Sequence, residues 1–155
     1  MLTAEEILKD KSGQIVSIKS KASIKEALKL MIENKIGSVL VMENNKVVGI
    51  WTERDYLRNT FQEGFDIEKS IVRDYMTTKL YWAKDTAPAY ILMDKFLGLR
   101  IRHLLIEKQG DFIGMISIGD VVKCSLRDKF DELKHQNKKA SWNYYEEWKW
   151  NPEDN

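Results

Sequence analysis

The chain contains two copies of one sequence pattern, 65 positions apart. Residues 15–57 align on residues 80–122 without a gap. Six positions are identical, and apolar runs, a turn and a hydroxyl fall in register around them. The identical pairs are Lys19/Lys84, Ala22/Ala87, Ile36/Ile101, Leu40/Leu105, Gly49/Gly114 and Asp55/Asp120. Because a unit of about 50 residues buries too little surface to be stable alone, the repeat predicts two units packed together with pseudo-twofold symmetry.

Each copy has the pattern of a strand, a helix, two further strands and a second helix. Short apolar runs predict the strands, and apolar residues at helical spacing predict the helices. The predicted strands are 15–18, 39–42, 47–51, 80–83, 103–107 and 112–117. The predicted helices begin after Ser23, after Thr52, at Pro88 (to about Leu97) and near Gly119. The fold class is therefore α/β (α+β), with hairpin turns at 43–46 and 108–111.

The repeat also predicts the domain organisation. Residues 1–62 form the first repeat, 63–70 a connector, 71–127 the second repeat, and 128–155 a C-terminal helix with an aromatic tail. Two repeats that pack face to face share one core and leave clefts between them.

The tail is unusually rich in aromatic residues. Trp142, Tyr145 and Trp148 are spaced by three residues, which is typical of one face of a helix. Three interpretations stay open: the tail packs on its own module, crosses to a second subunit, or docks on a partner protein. Because aromatic side chains are common at interfaces, we favour the second and expect a homodimer.

The composition excludes several classes of protein. Apolar residues are 43% and charged residues 32%, and the net charge is +1, which argues against disorder, nucleic-acid binding and membrane binding. We expect a cytoplasmic protein, because neither an apolar leader nor a membrane-length apolar run is visible. One cysteine and two histidines predict neither a disulfide nor a zinc site. We expect no enzyme, because none of the common catalytic motifs is present.

The strongest candidate site residues follow the last strand of each copy. Residues 52–55 (TERD) and 117–120 (SIGD) are equivalent, and each lies between a strand and a helix. A hydroxyl followed three residues later by an acid is typical of a helix cap. The same groups suit a nucleotide, because a carboxylate accepts both hydroxyls of a ribose and a hydroxyl at a helix start suits a phosphate. The two roles can coexist.

Basic residues near these tetrads favour a phosphorylated ligand. Arg54 lies inside the first tetrad, and Arg100, Arg102 and His103 precede a strand of the second copy. Arginine binds phosphate oxygens through paired hydrogen bonds. His103 could donate to a phosphate in a suitable protonation state; the alternative is a partly buried side chain bonded to backbone.

The paired units, the endings GIWTERD and GMISIGD and the run IRHLLI together resemble a tandem pair of CBS domains (cystathionine β-synthase domains), also called a Bateman module. The resemblance covers about residues 3–127 and is greatest to small stand-alone proteins that hold one CBS pair. It implies clefts between the repeats that bind AMP, ADP, ATP, NAD or S-adenosylmethionine as regulatory ligands, with no catalytic cofactor. The basic residues favour the phosphorylated ligands among these.

The resemblance also implies roles for individual residues. Asp55 and Asp120 hold a ribose, and Thr52 and Ser117 help to hold a phosphate. Phosphates reach Arg54, Arg102 and His103. Adenine walls come from the sister repeat: Val16, Ile18, Ile36 and Gly37 face the Ser117–Gly119–Asp120 segment, and Tyr81, Ala83, Ile101 and Arg102 face residues 52–55. Tyr81 and Trp82 are bulky for such a wall, so they either stack on a base or fill that cleft.

Two functions are compatible with these features. A regulatory sensor changes its conformation or its oligomeric state when it binds a nucleotide, and an unidentified effector protein responds. A ligand-independent scaffold uses the tetrads only as helix caps and docks a partner through the aromatic tail.

Overall fold

The computed structural model describes residues 2–11 and 15–136, the side chains of residues 132–136 excepted. The elements are α1 Ala4–Asp10, β1 Ser17–Lys19, α2 Ile24–Asn34, β2 Ser38–Glu43, β3 Lys46–Thr52, α3 Glu53–Asn59, α4 Val72–Tyr75, β4 Trp82–Lys84, α5 Ala89–Gly98, β5 His103–Lys108, β6 Asp111–Ser117 and α6 Ile118–Gln136. The predicted α+β repeats are confirmed, with element ends shifted by one or two residues. The predicted aromatic tail lies outside the described residues. None of the described helices is long and apolar enough to cross a membrane.

Each repeat forms a sheet of three strands. β1 pairs with β2 in parallel, and β2 pairs with β3 in antiparallel. β4, β5 and β6 repeat this order and these directions. The aligned sequence positions therefore occupy the same places in the two sheets: Ser38 lies opposite Thr52, and His103 lies opposite Ser117.

Both hairpins turn in the same way. Asn44 and Asn45 have φ of 50° and 61°, and Gln109 and Gly110 have φ of 55° and 95°. Two successive residues with positive φ form a type I′ turn, whose twist matches that of the flanking strands. The two hairpins predicted from the sequence are confirmed.

Helix α1 precedes the first repeat along the chain but packs on the second. The Ala4 amide donates to the Ala87 carbonyl at 2.8 Å, and the Glu5 amide donates to the Asp85 carbonyl at 2.9 Å. A capping box between Thr3 and Glu6 starts the helix. The second half of the molecule is therefore completed by the beginning of the chain.

Helix α4 makes the reciprocal crossing, because it precedes the second repeat and packs on the first. The Val72 amide donates to the Ala22 carbonyl at 2.9 Å, and the Arg73 amide donates to the Ser20 carbonyl at 3.0 Å. These acceptors are the equivalents of Ala87 and Asp85. The helices that precede the two repeats, α1 and α4, are called here the leading helices. They are exchanged between the halves, and equivalent backbone hydrogen bonds hold both of them in place.

The buried side chains follow this exchange. They form two clusters, one in each half, where the sequence repeat predicts a single shared core. Ile7 of α1 belongs to the cluster that contains Leu104 and Ile116. Val72 of α4 belongs to the cluster that contains Trp51. The second core is closed by a helix from the start of the chain, and the first core is closed by α4, which directly follows the first repeat.

The repeated glycines allow the leading helices to lie close to the sheets. A Cβ on Gly49 would lie 2.4 Å from the Met76 sulfur, and a Cβ on Gly114 would lie 2.7 Å from a Leu8 methyl carbon. Both distances are shorter than van der Waals contact. The glycine pair in the repeat is therefore explained by helix packing.

Candidate functional site

Both tetrads cap the helix that follows them. Asp55 Oδ2 accepts the Thr52 amide at 3.0 Å and the Thr52 hydroxyl at 2.8 Å, and Thr52 Oγ1 accepts the Asp55 amide at 3.2 Å. Asp120 Oδ2 accepts the amide and the hydroxyl of Ser117, each at 2.7 Å. The capping role predicted for the two tetrads is confirmed. In both aspartates these bonds use one carboxylate oxygen and leave Oδ1 outside the cap.

A cavity of about 300 Å³, called here the first cavity, opens beside Asp55 between the two halves. Its volume is at the lower end of the range typical of small-molecule sites. The end of β3 and the start of α3 supply Thr52, Arg54 and Asp55 to its wall. The second half supplies Tyr81, Ile101, Arg102 and His103. The structure therefore brings three residues of the first predicted tetrad and most of its predicted sister wall into one cavity.

The lining of the first cavity is strongly basic. Five cationic residues line it, against the single carboxylate of Asp55: they are Arg54, Arg58, Lys79, Arg100 and Arg102. The Lys79 ammonium lies 5.3 Å from the centre of the Tyr81 ring, a cation–π contact that places a charge beside an aromatic face. The cavity thus combines an aromatic surface, one hydrogen-bond acceptor and an excess of positive charge.

His103 lines this cavity as an uncharged side chain. Burial, together with the nearby charges of Arg102 and Lys11, lowers its pKa from 6.5 to about 4. At neutral pH its imidazole is neutral, with one nitrogen that donates and one that accepts. A ligand phosphate would therefore meet the guanidinium of Arg102 as a charge and His103 as a neutral donor.

The second carboxylate has a different environment. Lys11 Nζ lies 2.8 Å from Asp120 Oδ2 and 3.1 Å from the Met115 carbonyl oxygen. Burial raises the pKa of Asp120, but hydrogen bonds from Lys11 and Ser117 outweigh this effect and hold the pKa below its ordinary value. Asp120 is therefore a charge-compensated carboxylate, whereas Asp55 faces the first cavity.

A second cavity of about 180 Å³ lies at the starts of α3 and α6. It is lined by Gly37, Glu53, Arg102, His103, Ser117, Ile118 and Gly119. It therefore brings together three of the residues predicted for the second cleft: Gly37, Ser117 and Gly119. Asp120 is not among its lining residues, and Glu53 adds a negative charge there.

Four of the predicted adenine-wall residues line neither of these two cavities. Val16, Ile18 and Ile36 pack against the core of the first half, and Ala83 is buried in the core of the second. The physical reason is strand alternation together with burial: these small apolar side chains cover the core under their own sheet.

Several residues of the sites were not found from the sequence. Thr77 donates its hydroxyl to Asp55 Oδ1 at 3.2 Å, and Lys11 binds Asp120 from 109 positions away. Arg58 lies one helical turn after Asp55, with a guanidinium nitrogen 3.9 Å from its carboxylate. The helical spacing of Arg58 was the one available signal; Thr77 and Lys11 reach the sites through the exchange of the leading segments.

The described residues offer little for metal or nucleophilic chemistry. Among them, no group of three or more His, Cys, Asp and Glu side chains could hold a metal ion. Burial, together with a hydrogen bond to Asp10, raises the pKa of the Cys124 thiol to about 12. A thiol that stays protonated at neutral pH is a poor nucleophile.

Comparison with known proteins identifies the family. The family model of the CBS domain matches twice, at residues 4–60 and 72–127. The chain belongs to the CBS-domain family. Both matches begin at a leading helix, so this CBS pair has the exchanged helices inside its matched regions.

Relatives of this CBS pair include a plant protein and solved structures. The mitochondrial CBS domain-containing protein CBSX3 of Arabidopsis thaliana is 33% identical over 120 residues, which are 74% of this chain and 58% of that protein. A CBS-domain-containing protein of Agrobacterium tumefaciens is 32% identical with a TM-score of 0.74, covering 80% of this chain and 99% of the other. CBSX2, solved in complex with AMP, is 26% identical with a TM-score of 0.65, covering 75% and 90%.

Proposed function

We propose that this CBS pair is a regulatory module that binds an adenine nucleotide in the first cavity. The observation that carries the proposal is the cavity itself, where one carboxylate, an aromatic face and five cations meet between the two halves. The relative CBSX2 was solved with AMP, which supports an adenosine ligand for this family of structures. Regulatory rather than catalytic use is general among stand-alone CBS pairs and agrees with the residues that line the cavity.

The parts of a nucleotide match the parts of the cavity. Asp55 Oδ1 accepts the hydroxyls of the ribose, because Oδ2 is already used by the helix cap. Tyr81 offers a face on which adenine stacks. Arg54 and Arg102 bind phosphate oxygens from opposite halves of the molecule.

The positive charge favours ligands with more phosphate charge. AMP, ADP, ATP and NAD are the candidates, and S-adenosylmethionine is disfavoured because its sulfonium would lie among cations. We expect affinity to rise from AMP to ADP and ATP, and to fall with added salt because surface charges are screened.

A ligand in this place would connect the two halves. Asp55 and Arg54 belong to the first half, and Tyr81 and Arg102 belong to the second. Binding therefore favours one arrangement of the halves over others, in proportion to the difference in affinity between them. An effector protein that contacts both halves would respond to that arrangement.

The outer helices support the expected homodimer. Exposed apolar residues occur at equivalent positions of both halves: Ile32 and Leu97, Leu57 and Val122, Phe61 and Leu126. A second copy would cover such a pseudo-symmetric face with matching contacts from both halves. The cytoplasmic location and the effector protein stay predictions from the sequence.

Thermal unfolding with nucleotides tests the proposed function. The wild type is heated with AMP, ADP, ATP, NAD and S-adenosylmethionine, and sedimentation velocity is measured with and without the strongest ligand. Ligand at 100 times its dissociation constant adds about 2.7 kcal/mol of stability. Asp55→Asn keeps an oxygen for the helix cap but removes the charge, so it should abolish the shift; Asp66→Asn, on the connector away from the cavity, is the control.

The scaffold function is the outcome if no nucleotide raises the unfolding temperature at millimolar concentration. In that case both aspartates act as helix caps alone, and the first cavity has no ligand of this class. A shift that Asp55→Asn leaves intact would place the nucleotide elsewhere and contradict the assignment of the site.

A further inference from the structure

The two aspartates of the repeat have the same cap and different third partners. In each, one oxygen accepts the amide and the hydroxyl of the residue three positions earlier. Asp55 then accepts a neutral hydroxyl from Thr77, on its other oxygen. Asp120 accepts the ammonium of Lys11, on the oxygen that also receives the cap. The cation nearest Asp55 is the exposed Arg58 at 3.9 Å, whereas Asp120 has a direct hydrogen bond from the half-buried ammonium of Lys11.

Thr77 and Lys11 occupy different positions after their leading helices but make corresponding contacts in the two halves. Thr77 donates its amide to the Ile50 carbonyl at 2.8 Å while its hydroxyl reaches Asp55. Lys11 donates to Met115, the equivalent of Ile50, while the same ammonium reaches Asp120. Each residue follows a leading helix and joins the last strand of a sheet to the carboxylate beside it. The exchange of helices therefore delivers a small neutral residue to one site and a long cation to the other.

Lys11 is held in this position by the helix that carries it. It follows α1 directly, and its amide donates to the Ile7 carbonyl at 3.0 Å. Ile7 is fully buried in the second core, and Asp10 pairs with Arg127 of α6. Two thirds of the Lys11 side chain is shielded from solvent, with 34% exposed, and 23% of the Asp120 side chain is exposed. The ammonium therefore comes from an anchored segment and is not a freely moving surface group.

We propose that Lys11 closes the site at Asp120 to nucleotide, so that each chain binds a single nucleotide, at Asp55. The inference rests on the proposed function, because it assumes that the carboxylates of the repeat bind ribose hydroxyls. A ribose at Asp120 would exchange a charge-assisted hydrogen bond for neutral ones, and would leave an ammonium without its partner. At Asp55 the nearest cation is Arg58, whose guanidinium is 67% exposed and lies 3.9 Å from the carboxylate, so a ribose there displaces a weaker, solvated ion pair. Lys11 is thus the residue that decides which of two equivalent sites is used.

Isothermal titration of the full chain with ADP, and separately with AMP, tests this assignment. Wild type should bind one nucleotide per chain. Lys11→Met keeps the length of the side chain and removes the ammonium, so it should bind two nucleotides per chain. Adding Asp120→Asn to Lys11→Met should return the stoichiometry to one. Lys9→Met is the matched control, because Lys9 lies on the same helix, is largely exposed and pairs only with Glu5 among the described contacts; it should keep one site.

The outcomes separate this inference from the proposed function. Two nucleotides per wild-type chain would overturn the inference and leave the proposed function standing, and this measurement does not depend on the folding of any variant. If wild type and folded Lys11→Met each bind one nucleotide, and Asp55→Asn binds none, the inference is again overturned and the proposed function stands. No binding by wild type with one site in Lys11→Met would support the closure by Lys11 and contradict the site at Asp55. No binding by either protein overturns both proposals.

Discussion

The two halves of this CBS pair attach their leading helices with the same ion pair in opposite polarity. In the first half Arg73 of α4 lies 3.1 Å from Glu43 of β2. In the second half Glu5 of α1 lies 2.9 Å from Lys108 of β5. Glu43 and Lys108 are equivalent in the repeat, and so are Arg73 and Glu5 by their backbone bonds. The partners therefore lie at equivalent positions in the two halves, but helix and strand carry opposite charges in one half compared with the other.

Because of this reversal, each leading helix forms a favourable ion pair with one half and would meet a like charge on the other. A helix α1 docked on its own repeat would place Glu5 beside Glu43, and α4 on its own repeat would place Arg73 beside Lys108. Like charges in contact disfavour that arrangement. Because partly exposed ion pairs add little stability, their main effect here is to select the exchange rather than to strengthen it.

Substitution in the two cores should have the largest effect. Trp51 and Ile116 are equivalent and fully buried, and the Trp51 ring nitrogen donates to Asn59 at 3.0 Å. Trp51→Ala should lower the free energy of unfolding by about 4 kcal/mol and Ile116→Ala by about 3 kcal/mol. Urea denaturation measures both. Each variant should lower one common transition, because the chain crosses between the halves after α1 and again after α4; two separate transitions would show that the halves unfold independently.

The stability of the second half should fall in acid because of one side chain, His103. His103 has its pKa lowered to about 4 by burial, while the first repeat has Ser38 at this place. The unfolded chain binds the proton near pH 6.5, so stability is complete above that pH and is lost as the pH falls toward 4. We expect a loss of about 2 kcal/mol between pH 7 and pH 5. His103→Gln should remove this part of the slope in urea titrations at several pH values; an unchanged slope would contradict it.

Reversal of one charge should have the smallest effect on the free energy of unfolding, and a second substitution should restore the loss. Glu43→Lys places two cations together and should lower the free energy of unfolding by about 1 kcal/mol or less. Adding Arg73→Glu restores a pair with the polarity of the second half and should recover the loss. A double-mutant cycle by thermal unfolding measures the coupling. Additive losses in the double variant would show that the two residues do not interact.

Local signals in the sequence were enough for the elements of each repeat. Alternating apolar runs, the Asn44–Asn45 turn and the two hydroxyl–acid caps act within a few residues, so the pattern predicts them directly. The placement of Arg102 and Tyr81 beside residues 52–55 came from the resemblance to CBS pairs, and not from the local pattern.

The differences between the halves could not be predicted in the same way. The exchange of α1 and α4 is a long-range choice, and adjacency along the chain suggested the opposite packing. Lys11 reaches Asp120 only because of that exchange, and the lowered pKa of His103 depends on burial that a sequence does not display. The opposite charges at Glu43 and Lys108 were visible in the alignment, but their meaning required Arg73 and Glu5 beside them.

Because of the exchange of helices, the sequence repeat does not coincide with a folding unit. A fragment of residues 15–77 would carry β1–β3 together with α4, and would therefore contain its own complete core. A fragment of residues 1–62 would lack Val72 and would carry α1 with no sheet of its own to cover. Truncation at the visible repeat boundary should thus yield insoluble protein, whereas a cut that follows the packing should yield a smaller folded one.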